Sequence, residues 1–157
     1  MLVSDIMTTH VHRCRTRDTL ERAAQLMWDH DCGALPIEDE RGHTVGVVTD
    51  RDICMAAYTQ GKPLRAIPVT VAGSRSVHSV RPDTEVEVAE AVMKMHRIRR
   101  LPVIDIGGNL VGMLSLADIV RCAHAQPVHD ENDALGAERI VSTLESVYRP
   151  AAPSSHP

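Results

Sequence analysis

The sequence predicts an α/β (α+β) fold: two β-α-β-β-α repeats packed as a pseudo-two-fold pair, followed by a C-terminal amphipathic helix. Three observations carry this. Shifted by 66 residues, Val11–Ala57 lies on Val77–Ala123 without a gap, and 16 of the 47 positions are identical. Each copy alternates short apolar runs with stretches of helical spacing, the signature of mixed strands and helices. Each copy is also too small to bury its apolar faces alone, so the copies must dock on one another.

The elements follow in order. Ser4–Met7 is predicted as a short helical lead-in capped by Ser4, and Val11–Cys14 as a short strand. Asp18 is expected to cap a helix with Glu21 as its capping-box partner, and Leu20, Ala23, Ala24 and Met27 form the apolar face. Ala34–Glu38 is a strand containing Pro36; proline cannot donate to a ladder, so the strand lies at an edge or its nitrogen faces away from a neighbour. Residues 39–43 form a hairpin turn, Thr44–Val48 the next strand, and a helix starts after Thr49 and runs to about Tyr58. The second copy repeats this plan. It has a strand at Val77–Val80, a helix capped by Thr84 with Glu87, strands at Arg100–Asp105 and Leu110–Leu114, and a helix after Ser115.

The division is therefore 1–58 for the first repeat, 59–76 for a Pro- and Gly-rich connector and 77–125 for the second repeat. A linker and amphipathic helix occupy 126–148, with Ala137, Ile140, Val141, Leu144 and Val147 on one stripe, and 149–157 reads as a disordered tail.

Composition narrows the function classes. At 43% hydrophobic and 24% charged residues the chain is ordinary for a globular protein. The net charge of −4 supplies no basic surplus, so nucleic acid is not an expected partner. Aromatics are few (one Trp, two Tyr, no Phe), so a flat ligand would be gripped by aliphatic side chains. No apolar run approaches the roughly 20 residues of a membrane span, and the N-terminus lacks a signal-peptide pattern. Four scattered cysteines without C-x-x-C suggest reduced thiols and a cytoplasmic setting. No catalytic constellation stands out, and nine histidines form no recognisable ligand spacing, so neither an enzyme nor a metal site is expected.

One motif occurs twice. A glycine opens an apolar strand, a hydroxyl residue ends it, and an aspartate follows three positions later: Gly46, Thr49, Asp52 and Gly112, Ser115, Asp118. The pattern has two readings. It has the form of a capping box, which satisfies free N–H groups at a helix start. The same geometry suits a ligand, because a helix N-terminus attracts phosphate, the hydroxyl donates to it, and the aspartate accepts from vicinal ribose hydroxyls.

The paired motifs, with Leu35-Pro36-Ile37 and Leu101-Pro102-Val103 ahead of each turn, resemble a tandem pair of cystathionine-β-synthase (CBS) domains, or Bateman module, over about Val3–Ala123. The resemblance implies a non-catalytic regulatory module that binds adenosine-containing ligands such as AMP, ADP, ATP or S-adenosylmethionine in clefts between the copies. Such ligands act as regulators and no cofactor is implied. Carried over by position, Asp52 and Asp118 bind ribose, Thr49 and Ser115 contact phosphate, and the two Leu-Pro-Ile/Val segments hold adenine. Strand starts near Arg13 and Ser79 line the clefts. The resemblance also implies a homodimer and a separate effector protein.

The clefts are expected to differ in charge. Arg97, Arg99 and Arg100 of the second copy stand opposite Asp31, Gly33 and Ala34, and Arg51 stands opposite Ala117. Arginine suits bidentate phosphate recognition, and the resemblance favours Arg97 for it. The lead-in to the second copy lacks the Met-containing pattern of the first, so a distorted second lead-in helix is expected. The competing reading is a structural dimer in which both Thr/Ser-x-x-Asp motifs serve only as caps.

Overall fold

A computed structural model describes residues 1–74, 76–125 and 132–148. In chain order the elements are α1 (Val3–Ile6), β1 (Cys14–Arg15), α2 (Leu20–Asp29), β2 (Ala34–Glu38), β3 (Thr44–Thr49), α3 (Asp50–Gln60), a 3-10 turn (Leu64–Ala66), α4 (Val69–Ala72), α5 (Val86–His96), β4 (Arg100–Ile104), β5 (Leu110–Ser115), α6 (Leu116–Ala125) and α7 (Asn132–Tyr148). The expected linker over 126–131 and tail over 149–157 lie outside the described residues.

Each repeat is built on one hairpin. β2 pairs antiparallel with β3, and β4 with β5, each with one register shift at the same place, Ile37/Glu38 and Val103/Ile104. The turns are also alike. Asp39 Oδ1 accepts from the Arg41 and His43 amides, and Asp105 Oδ1 from those of Gly107 and Asn109, all at 2.8–2.9 Å. These bonds hold both carboxyls below their ordinary pKa, for Asp39 through the His43 amide first and for Asp105 through the Asn109 side chain first. Gly42 and Gly108 both turn the chain at φ +84°, where a side chain would be strained.

β1 runs parallel to β2, giving the order β1-β2-β3, so β2 is central. The strand that holds Pro36 is therefore not at an edge of the sheet, the first of the two expected routes. Pro36 lies opposite Val47 of β3, and in the second repeat the Pro102 carbonyl accepts from Val80 N at 3.1 Å. The strands expected at Val11–Cys14 and Val77–Val80 are shorter than the sequence suggested, reduced to Cys14–Arg15 and to a single parallel bridge between Val80 and Val103.

The reason for that shortening is an exchange of lead-in segments. α1 does not pack on its own repeat. Val3 N donates to Thr84 O, Ser4 N to Pro82 O, and Thr8 and Met113 exchange both backbone bonds at 2.9 Å, so Val3 lies in the core of the second repeat with Val86, Met93 and Leu101. The connector does the converse. Val69 N donates to Asp18 O, Leu20 N to Ile67 O and Ser74 N to Val47 O, so Ile67 and Val69 complete the first core with Leu20, Leu35 and Val48. α4 is a regular four-residue helix matching α1, not the distorted one expected. The residues between each borrowed segment and its own repeat must cross over and cannot lengthen a strand.

Helix starts are displaced for a local reason. The hydroxyl of Thr19, not Asp18, accepts from the first turn of α2, at Arg22 N. Asp18 is already engaged, accepting from Arg15 N at 2.7 Å and closing the preceding turn. Thr84 likewise accepts from Arg81 N, and α5 begins after Glu85 with no side-chain cap. At α1 the N-cap is Leu2, whose amide donates to Asp5, not Ser4. α7 packs on α5 and α6 with Leu144 and Val147 against the second core.

Candidate functional site

The two strand–helix junctions carry the duplicated motif. At the first, Thr49 N and Oγ1 both donate to Asp52 Oδ2, at 2.9 and 2.6 Å, and Asp52 N returns a bond to Thr49 Oγ1 at 3.2 Å. At the second, Ser115 N and Oγ donate to Asp118 Oδ2 at 2.8 and 2.6 Å, and Asp118 N donates to Ser115 Oγ at 3.2 Å. The capping box is therefore formed in both copies. It satisfies amides at the helix start and fixes the rotamer of each aspartate. A cap alone uses one carboxylate oxygen of the two.

The second oxygen distinguishes the junctions. Asp52 Oδ1 has no hydrogen-bond partner among the described residues, and Asp52 is half-buried. Asp118 is buried, and its Oδ1 is held by Arg121 from the next turn of α6. Met55, 48% exposed, stands where Arg121 has its counterpart.

The glycines of the motif have a role that the sequence did not disclose. A Cβ on Gly46 would stand 2.7 Å from the Ser74 carbonyl oxygen, and one on Gly112 would stand 3.1 Å from that of Thr8. Both positions admit the borrowed lead-in segment against the strand. Ser74 Oγ also accepts from Val47 N at 3.2 Å. Ser74 and Thr8 thus flank the junction strands and were not among the expected residues; the glycines were their only trace in the sequence. A groove of about 420 Å³ runs between β3 and α4, lined by Ile37, Val45, Thr70, Val71 and Ser74 among others.

The other expected site residues divide by what they touch. Leu35, Ile37, Leu101 and Val103 are core side chains, exposed by 2% or less, as alternation in a strand covered on both sides requires. Of these only Ile37 reaches the groove; Pro36 and Pro102 are also buried. Arg13 is tied to the buried Glu38 by an ion pair of 2.7 Å, so its charge balances that carboxylate. Ser79 and Arg51 are exposed. Arg97 is exposed and ends α5 in the left-handed conformation at φ +53°, as Asp31 ends the corresponding turn at φ +48°.

The remaining arginines are placed apart. Arg99 lies over the Tyr148 ring, 5.4 Å from its centroid, and donates to its hydroxyl. Arg100 reaches across the pair. Its Nη2 would stand 3.3 Å from a Cβ on Gly33, beside Asp50 at the start of α3. The second repeat thus brings a cation to the first junction, and it is Arg100 and not the phosphate candidate Arg97.

Duplicated imidazole pairs flank the strand starts. His12 stacks on His30 at 3.4 Å and His78 on His96 at 3.5 Å, with His10 edge-on to His12. Burial, and then His30 and His10, push the His12 pKa down. Among the described residues no group of three His, Cys, Asp or Glu side chains is placed to hold a metal ion, and no helix is long and apolar enough to cross a membrane.

The CBS domain family model matches residues 3–58 and 69–125, both repeats with their lead-in helices. The chain belongs to the CBS-domain family. As a CBS-domain pair it is 39% identical over 117 residues to the CBS domain-containing protein YhcV of Bacillus subtilis, covering 74% of this chain and 81% of that one. The CBS domain pair of protein MJ0100, solved in complex with 5'-methylthioadenosine and S-adenosyl-L-methionine, superposes with a TM-score of 0.74 at 27% identity, covering 81% of this chain and 98% of that one. CBSX2, solved in complex with AMP, superposes at 0.69 with 29% identity, covering 78% and 96%. CBS-domain proteins are in general regulatory, not catalytic.

Proposed function

We propose that this CBS pair binds an adenosine-containing regulatory ligand at the Thr49–Asp52 and Ser115–Asp118 junctions and passes ligand state to a separate effector protein. The single observation that carries the reading is the duplicated junction. Each places a hydroxyl and a fixed aspartate at one helix N-terminus, and Asp52 still presents an oxygen able to accept from ribose. Relatives solved with AMP and with S-adenosyl-L-methionine support the ligand class. In this reading Pro36, Ile37, Pro102 and Val103 bound the adenine side through backbone and apolar edge, and Arg51, Arg97 and Arg100 address phosphates. Ligand between the repeats favours one relative orientation, and the effector reads that shift.

The test is binding to nucleotide-free protein by thermal shift and calorimetry with AMP, ADP, ATP, S-adenosylmethionine and NADH. A ligand at about 100 times its Kd stabilises the fold by about 2.7 kcal/mol. Asp52→Ala and Asp118→Ala each remove one site. Binding of none of the five sinks the proposal. It would leave the second reading, an interaction module whose junctions are caps, which the fully formed capping boxes favour. In either case we propose a homodimer through the outer helices, because Trp28 on α2 and Tyr58 on α3 are 87% and 84% exposed. Light scattering is expected to give twice the chain mass, and Trp28→Lys with Tyr58→Lys the monomer.

A further inference from the structure

The two junctions share backbone, cap and motif, so a difference in their side-chain partners is a difference in what they can accept. All three polar contacts of the first cap recur in the second, with one addition: Arg121, three residues after Asp118, holds Asp118 Oδ1. With Oδ2 accepting from Ser115 N and Oγ, both oxygens of the second aspartate are engaged. The same carboxylate is buried at 6% exposure, while the guanidinium that holds it is 71% exposed. The first repeat has Met55 at this place, which offers no charge, and Asp52 Oδ1 stays available.

We infer that Arg121 is a specificity-determining latch on the second cleft: it competes with ligand hydroxyls for Asp118, so the cleft at Asp52 fills first. The inference rests on the ligand reading above. It follows from simple exchange. A vicinal diol that docks on a carboxylate needs an oxygen whose lone pairs are free. At Asp52 no hydrogen bond or ion pair engages that oxygen among the described residues. At Asp118 the diol must displace a charge-assisted bond, which is among the stronger hydrogen bonds but is weakened here because its donor is solvated. The displaced guanidinium then stands free at the rim of the occupied cleft. A ligand bearing more phosphate charge recovers part of the cost by pairing with it, so a triphosphate suffers less from the latch than a neutral nucleoside.

The experiment is an amide-resolved NMR titration of the full chain with AMP, comparing the wild type with Arg121→Met, which gives the second repeat the residue of the first. In the wild type the Asp52 junction is expected to respond at lower AMP than the Asp118 junction. Arg121→Met is expected to tighten the second cleft about fivefold and leave the first unchanged, the size of an exchange against a partly exposed ion pair. Calorimetry of the Asp52→Ala background, with and without Arg121→Met, gives the same comparison with one cleft only. Adenosine is expected to gain more from Arg121→Met than ATP does. Equal filling in the wild type, or an Asp118 junction that Arg121→Met leaves unchanged or weakens, overturns the latch while the ligand reading stands. No response at either junction to AMP, ATP or S-adenosylmethionine overturns the ligand reading and the latch with it. Unliganded spectra that superpose outside α6 show that the variant is folded.

Discussion

Set side by side, the repeats agree in backbone and disagree in charge. Their hairpins share register shift, turn glycine and turn aspartate, and their junctions share a capping box bond for bond. Around that common frame the first repeat leaves Asp52 open, receives Arg100 from its neighbour and exposes Trp28 and Tyr58. The second engages Asp118 with Arg121, spends Arg99 on Tyr148 and is covered by α7. The lesson is that duplication preserves what the fold needs. What differs is the set of side chains around that frame, Arg121 against Met55 at the junction and Arg99 beside the added helix.

The comparison can be broken most severely at the glycines. Gly46→Ala is expected to cost about 2–3 kcal/mol, because its Cβ meets a backbone oxygen and Ile37 with no flexible neighbour to yield. Gly112→Ala is expected to cost about 1 kcal/mol, since its nearest neighbour is the movable Met7 sulfur. Urea unfolding of both variants measures the difference, and equal losses would mean that the two lead-in segments are held alike. The caps come next. Thr49→Ala and Ser115→Ala each are expected to lose about 1 kcal/mol, Thr49→Ala the more, because Asp118 keeps Arg121 when its hydroxyl is gone. A larger loss for Ser115→Ala contradicts the asymmetry.

The smallest expected effect is with pH. Folding lowers the His12 pKa from its ordinary 6.5, so the folded state binds this proton less well than the unfolded chain. Its contribution is complete above 6.5 and is lost as pH falls below 6.5 through the lower value of the folded state, and His12→Asn is expected to flatten the dependence. Urea midpoints on either side of 6.5 decide it.

Much of this arrangement was legible in the chain. β2 runs from Ala34 to Glu38 as its composition predicts, and Thr49 and Ser115 end their strands and cap the following helices. Those features are local, and local chemistry writes them: a hydroxyl followed by Asp three residues on can close only one ring of bonds. Helix starts at Thr19 and Glu85 were displaced because Asp18 and Thr84 serve the preceding turn, a competition between two equally local uses of one oxygen. The exchange of α1 and α4 was not legible. A repeat tells that two copies pair, and Val3 and Val69 suit either core equally, so only the tertiary path decides. The partners of Arg13, Arg99 and Arg100 were hidden too, since a long side chain is placed by what another element brings near it: Glu38 on β2, Tyr148 on α7 and Asp50 at the start of α3.

The exchanged lead-ins also decide where a mechanical signal arrives. A load or a bound protein at Met1 acts through Val3 on the second core, whose centre is more than 80 residues downstream, and not on the repeat it precedes in sequence. Neither repeat can be excised at the connector without tearing a residue from the other's interior. The pair is a two-handed grip, and whatever grasps the N-terminus pulls on the far hand.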